Sequence, residues 1–451
     1  MTPRLSRLLP EKSRHRFPLM RDRFSTCPTI PFTLALLAAI PAMAQAPKRL
    51  TLSDAEQLAL RNHPRIRSAD LAAEAARSAV AEARAPFYPF LSGNFTGVGA
   101  EHSSTLAAGA VQTSSLYSRL AAGIAVSQLI TDFGRTTNLA ESAKLRASAQ
   151  DRIAGNTQAT IRVEVDQAYY QALAAGTVLT VARAVVENRR LTLRQVNALA
   201  QSSLKSTLDV SFAEVAVSDA ELALVRAEND VQAGSARLAA AVGMTAAEPF
   251  ELVDEPLPAP LEPDPEPIVA QALKQRPDLA AMQLSRDAAH RFAQAEKDLN
   301  RPTVAVVGVA GDLPVTDPRL HGTYSAAGVN VSVPILNGKL YAARHSEAEL
   351  RAQAADRDVE DLSVQVSAQV RMAWLEANTA FRRLDVTARL VAQAERSLRL
   401  AQIRYDNGLG SIVELNQAQL SQVTAEIAAA GAKYDYLSSR AALAFAAGGL
   451  R

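Results

Sequence analysis

Residues able to do chemistry are present in this chain but are nowhere gathered. The histidines His63, His102, His290, His321 and His345 lie far apart, never at the four-residue spacing that puts two imidazoles on one helix face to hold zinc. Gly93, Gly97 and Gly99 do not open a helix after a strand, so they form no phosphate-cradling loop. Asp132 and Asn337 sit beside glycine, where turn formation accounts for them. Arg189-Arg190 and Arg382-Arg383 read as solvated helix faces. Asp209 and Glu414 stand where helices begin, a place that the helix dipole favours for acids. The sequence therefore points to no enzyme, no metal and no cofactor.

The near balance of 48 Lys+Arg against 46 Asp+Glu offers no basic surface for nucleic acid. The first 44 residues read as a targeting segment. Arg21 and Arg23 precede an apolar run from Phe32 to Ile40, and Ala42-Met43-Ala44 supplies a small-residue cleavage site. Met1 and Met20 are both candidate starts. Removing residues 1–44 takes away seven basic and two acidic residues and leaves a small acid excess. The one cysteine, Cys27, goes with them, so the mature chain is expected to have no thiol, disulfide or lipid anchor. No other run is apolar over the roughly 20 residues that a membrane helix needs, so a membrane would have to be crossed by strands.

The elements that could position anything come in two copies, at 45–248 and 268–451, joined by a Pro- and acid-rich connector at 249–267. Ala59-Leu60-Arg61-Asn62-His63-Pro64 returns as Ala272-Leu273-Lys274-Gln275-Arg276-Pro277. Gly123-Ile124-Ala125-Val126-Ser127, Leu145-Arg146-Ala147 and Leu204-Lys205-Ser206 return about 205 residues later, which marks a duplication. Lys339 to Asn407 holds neither Gly nor Pro and would extend roughly 100 Å as α-helix. Its apolar positions Val359, Leu362, Val366, Val370, Ala373, Ala377, Ala380 and Leu384 recur at threes and fours, one narrow coiled-coil stripe. The first copy matches over Arg135–Ser203, with Gly155 and Gly176 as slight weaknesses. Return helices are expected at about 207–242 and 412–446. Shorter helices at about 65–85 and 278–298 would stack end to end with them to match each long one.

Strands are expected at about 88–100, 119–131, 302–311 and 323–334, with polar loops at Glu101–Tyr117 and Gly311–Gly322. Val329, Val331 and Val333 alternate with Gly328, Asn330 and Ser332, and Phe87, Tyr88, Phe90, Phe133 and Tyr324 fall at strand ends, where either a membrane-interface belt or ordinary packing would place them. Four strands cannot close a barrel, and an open edge cannot face lipid, so several copies must share one. Two copies would give eight strands and a filled interior; three would give twelve and a passage. Sequence patterning leaves that choice open.

The chain resembles the TolC family of outer-membrane efflux proteins along its mature length. The resemblance rests on Leu50-Thr51-Leu52-Ser53-Asp54-Ala55, Ala59-Leu60 and His63-Pro64 at the start. Gln128-Leu129-Ile130-Thr131-Asp132-Phe133-Gly134 and Val333-Pro334-Ile335-Leu336-Asn337-Gly338 at the strand-to-helix corners carry the rest, with the duplication. It implies a mostly α protein with a transmembrane β-barrel: a homotrimer whose long coiled-coil helices form an α-barrel in the periplasm and whose strands share a twelve-stranded barrel in outer-membrane lipid. It implies work with a periplasmic adaptor and an inner-membrane pump, as the exit duct for drugs or toxic compounds. A type I protein-secretion duct is the alternative within the family, and a soluble periplasmic coiled-coil adaptor the alternative outside it. Tyr405, Gly408 and Ile412-Val413-Glu414 match the family's periplasmic tip. There the resemblance makes Glu414 a pore-gate acid, Asp209 its counterpart and Gln417 the place of a second acid. Three copies of Glu414 brought together would repel one another and favour cations. Adaptor contact falls to Ser203, Leu204 and Lys205 with Gly408, Leu409 and Gly410, although Gly410 intervenes before the hydroxyl residue usual there.

Overall fold

A computed structural model describes residues 48–99, 105–108, 111–115, 119–202, 205–245, 250–316 and 322–449. The targeting segment 1–44 and the tip residues Ser203 and Leu204 lie outside the described residues.

The first copy runs β1 (Lys48–Leu50), α1 (Leu52–Asn62), α2 (Pro64–Arg84), β2 (Phe90–Val98), β3 (Thr105–Ala108), β4 (Val111–Ser115), β5 (Arg119–Thr131), α3 (Arg135–Gln201) and α4 (Thr207–Val242). The second runs β6 (Phe250–Leu252), α5 (Glu266–Gln275), α6 (Pro277–Lys297), β7 (Thr303–Thr316), β8 (Thr323–Ser332), α7 (Leu340–Asp406) and α8 (Ile412–Ala446). Long helices α3 and α7 each span 67 residues, and Gly155 and Gly176 do not break the first. The expected helix starts at 65 and 278 fall one residue earlier, because Pro64 and Pro277 take the first helical position, where a missing N–H costs nothing.

Small residues at a seven-residue period set the packing. Ala213, Ala220, Ala227 and Gly234 on α4, and Ala418, Ala425 and Ala432 on α8, are buried. The α3–α4 contact is tight at Gly234, where a Cβ would lie 3.3 Å from the Cα of Ala172. On α7 the expected stripe faces inward, with Val366, Val370 and Ala377 fully buried. Both α2 and α4 pack along α3, while α6 and α8 lie between α3 and α7. Ion pairs staple these neighbours: Arg65–Glu164 at 3.0 Å and Arg77–Asp151 at 2.7 Å between α2 and α3, and Arg190–Glu221 at 2.8 Å between α3 and α4.

End-to-end stacking is present in both copies. Gly243 closes α4 at φ +83°, with its would-be Cβ 2.8 Å from the Cα of His63, which caps α2. Gly448, just past α8 at φ +75°, sits against the backbone of Arg276, which caps α6. Only glycine fits such contacts at positive φ.

Four strands make one antiparallel sheet in the order β2-β5-β7-β8. Among the described residues, β2 and β8 each have one neighbour, so each leaves an open edge. Two expected loops contain strand. β3 and β4 pair as a hairpin inside 101–117, and β7 continues beyond Gly311 to Thr316. The extension of β7 pairs with β5 across a register shift that absorbs Leu313-Pro314, a place where proline's missing N–H is tolerated. The connector also differs from expectation. Phe250–Leu252 pairs in parallel with Lys48–Leu50, and α5 begins at Glu266, two residues before the expected boundary. A three-residue strand is too short to show a period, and its partner lies some 200 residues away in sequence.

Candidate functional site

Each strand-to-helix corner turns through two consecutive left-handed residues, Phe133 (φ 55°) with Gly134 (φ 109°) and Gly338 (φ 58°) with Lys339 (φ 68°). Both corners thus set one glycine and one side-chain residue in a conformation that L-residues avoid. Asp132 accepts from the Thr136 amide at 2.7 Å and from the Thr136 hydroxyl, and so anchors the first turn of α3. Its role is structural, as its setting beside glycine indicates.

At the opposite end of the long helices, the two turns meet. Val196, Ala213, Ala401, Tyr405, Ile412, Leu415 and Ala418 form one buried cluster that joins both hairpins. Gly408 takes φ +70°, and the amides of Leu409 and Gly410 both donate to the Arg404 carbonyl, at 2.8 and 3.0 Å, which ends α7. Ser411 then caps α8 by accepting from the Glu414 amide at 3.2 Å. A Cβ at Gly410 would come within 3.2 Å of both the Arg404 Cβ and a Glu414 carboxylate oxygen, so this turn is shaped around glycine. Lys205 crosses from the first turn to place its ammonium 4.0 Å from the centre of the Tyr405 ring, a cation–π contact between the copies. Among the described residues the buried Tyr405 hydroxyl has no hydrogen-bond partner, and burial, then Asp209 and Asp406, push it above the usual phenol range.

Glu414 is exposed and accepts a hydrogen bond from Arg404 Nε at 3.1 Å, so its charge is partly answered within its own chain. Asp209 is occupied by a capping box: its carboxylate accepts from the Ser206 amide at 3.1 Å while Ser206 Oγ accepts from the Leu208 and Asp209 amides. Gln417 lies exposed one turn into α8, and Leu409 is 71% exposed at the very turn. The structure thus brings Asp209, Glu414, Gln417, Lys205 and Gly408–Gly410 to one end of the bundle.

Arg189 corrects the sequence reading. It is not on a solvated face: it is 9% exposed and donates to Asn416 Oδ1 at 2.8 Å and to Gln419 Oε1, which ties α3 of one hairpin to α8 of the other. Burial lowers its pKa and the nearby Asp219 opposes that shift. Arg190 does face solvent, paired with Glu221, and Arg383 pairs with Asp435 at 3.1 Å. Sequence reasoning missed Arg189 and Arg404 as site residues. The signal for Arg189 was its register: Val186, three residues before it, and Val196, seven after it, are apolar and lie on the same buried face.

A duplicated pair of long helical hairpins, carrying an open four-stranded sheet at one end and a narrow polar turn cluster at the other, defines a channel subunit of the outer-membrane type. Residues 55–244 and 268–449 both match the family model described as outer membrane efflux protein, and the chain belongs to that family. It is similar to protein CyaE of Bordetella pertussis, 28% identical over 90% of this chain and 86% of that protein. The toluene efflux pump outer membrane protein TtgC of Pseudomonas putida is 26% identical over 87% of this chain and 82% of the relative. In solved structures, the outer-membrane channel OprN superposes with TM-score 0.77 at 19% identity, covering 88% of this chain and 90% of that one. The protein is an outer-membrane efflux channel whose helices extend into the periplasm.

Proposed function

We propose that three copies close one twelve-stranded barrel and one helical tube, forming the exit duct of a tripartite pump that expels small toxic compounds. The observation that carries this reading is the pair of edges, β2 and β8, unpaired among the described residues on a sheet that must sit in lipid. A trimer joins β8 of one copy to β2 of the next and leaves a lumen that eight strands would fill. The helical wall repeats the pattern, since α7 lies at one margin and α2 with α4 at the other. On that margin of α4, Leu208, Val215 and Leu222 are exposed at a seven-residue period, an apolar seam that an α7 of the next copy would cover.

The turn cluster at the far end is the adaptor-facing tip and gate, with Glu414 as the acid presented toward the constriction and Asp209 and Gln417 near it. Lys205 and Gly408–Gly410 offer the contact surface for a periplasmic adaptor, and the adaptor links the duct to an inner-membrane pump. The protein performs no catalysis, since a conduit requires only a lumen and a gate. Single-channel recording of the purified oligomer in a planar bilayer tests the reading: a small, cation-preferring conductance that changes in Glu414→Ala supports it. Unchanged conductance and ion preference in Glu414→Ala would remove the gate assignment. A water-soluble monomer with no channel activity would remove the duct itself. Loss of protein export, with solvent resistance intact, on deleting the gene would favour the secretion duct instead.

A further inference from the structure

Three carboxyl groups from three separate elements converge where the β1–β6 strand pair docks on the helical wall. Asp166 on α3 is 3% exposed, and among the described residues its Oδ1 has no hydrogen-bond partner. Glu56 on α1 and Glu255, just after β6, both stand close enough to act on its charge. A carboxyl buried beside two other acids is favoured in its protonated form.

The same turn of α3 holds the strand pair. Tyr169, the next but two along α3, donates to the Leu50 and Val253 carbonyls at 2.9 and 2.7 Å and accepts from the Val253 amide. Tyr170 donates to Glu255 at 3.0 Å. Leu50 and Val253 are the last residue of β1 and the residue after β6, so α3 holds both strands through adjacent side chains. Facing Asp166 are Glu56 from α1, Glu255 from the connector, and Arg162 one turn back on α3; the buried Nε of Arg162 has no partner among the described residues. On the far side, Lys433 of α8 is committed to Asp254. Among the described residues, one cation faces three acids, an excess of negative charge around the buried Asp166.

We propose that this junction is a proton-operated clasp, in which a proton held on Asp166 lets Glu56 and Glu255 pack beside it and so keeps the β1–β6 pair and the connector fastened to α3, and alkalinisation loosens them. Burial, then Glu56 and Glu255, push the Asp166 carboxyl up to about 8, against a smaller opposing pull from Arg162. A carboxyl raised in the folded state contributes stability that is complete below its ordinary range and is lost as pH rises through the raised value. The clasp therefore weakens progressively as pH rises above the ordinary carboxylate range and is fully released once pH passes about 8. Because the connector joins the two copies, the clasp would let external pH reach the mid-region of the wall independently of the tip.

Hydrogen exchange of the native oligomer in detergent tests this, read as protection factors after correction for intrinsic exchange. Segments 48–50 and 250–253 should lose at least tenfold protection between pH 6.5 and 9 in wild type, while α3 residues 180–196 keep theirs. Asp166→Asn should remove most of that pH dependence, and Glu56→Gln should reduce it. Equal protection of wild type at both pH values would overturn the proposal, whether or not either variant assembles. An undiminished pH dependence in an assembled Asp166→Asn would overturn it as well.

Discussion

Replacing Arg189 by methionine keeps the side chain's apolar stem but removes the guanidinium that bridges the two hairpins. Asn416 and Gln419 then lose their donor. Hydrogen bonds to a charged donor contribute about 1.5–3 kcal/mol each, and a buried acceptor left unpaired costs about 1–3 kcal/mol. Both amides belong to partly buried residues and can turn toward water, so the low end applies and the net loss is about 3 kcal/mol. At about 1.4 kcal/mol per tenfold, the open population of the start of α8 should rise roughly a hundredfold. Native-state hydrogen exchange over residues 412–423 reads that population directly, and those amides should exchange about a hundredfold faster in Arg189→Met. Arg189→Lys should recover only part of the protection, because an ammonium cannot reach both oxygens with the planar fork of arginine. Acceleration below about threefold would refute the bridge. So would equal acceleration in residues 340–360 of α7, since a loss spread over the whole molecule is not the release of a local tie.

The corresponding acid dependence lies at the start of α6. Burial opposes ionisation of Asp278, but the paired bonds from Arg276 outweigh it and hold the carboxyl below its usual range. The stability this pair adds is present above the ordinary carboxylate range and is lost as pH falls through the depressed value, so melting measured from pH 6 to 3 should show a step that Arg276→Met lacks. In the sheet, a Cβ at Gly123 or Gly311 would overlap the Tyr324 ring that lies across both strands, so Gly311→Val should sharply lower the yield of assembled oligomer, and Gly311→Val with Tyr324→Ala should restore part of it on a native gel. At the tip, Gly408 has φ +70°, and Gly408→Ala should destabilise the α7–α8 turn by about 1 kcal/mol, seen as faster exchange of the amides at 405–411.

Helix lengths and helix ends were legible because they depend on local chemistry. Absence of Gly and Pro between Leu340 and Asp406 forces one unbroken helix, and Gly408 stops it within a residue of the expected place. Ser206 and Ser411 cap the return helices, which begin at Thr207 and Ile412 as expected. What the sequence hid was pairing between distant residues. Arg189 and Arg190 are adjacent and alike, yet one is buried and the other solvated, because a step of one residue turns a helix by about 100°. Phe250–Leu252 carries too few residues to announce a strand, and only its docking on β1 and Tyr169 makes it one. The tip residues were visible as a turn, whereas the Arg404–Glu414 pair needed the α7–α8 turn closed and the Lys205–Tyr405 contact needed both turns in place.

Where the two copies diverge in length also follows from closure. Helices α3 and α7 have 67 residues each, and α2 and α6 have 21 each. Return helices α4 and α8 have 36 and 35. The long helices start 205 residues apart, but α2 and α6 start 213 apart, so the first copy carries its extra residues between those points. They fall in the inter-strand stretch that holds the β3–β4 hairpin, where the second copy passes from Thr316 to Thr323. A wall built of side-by-side helices is sealed only if the stacked pairs reach as far as the unbroken helices beside them. A residue added to one helix would displace every seven-residue contact beyond it and open the Gly243–His63 or Gly448–Arg276 junction. A residue added between strands at the sheet's free end displaces nothing. Length is therefore fixed where neighbouring helices must match and free where the chain merely turns, which is the pattern expected of a tube and not of a globular core.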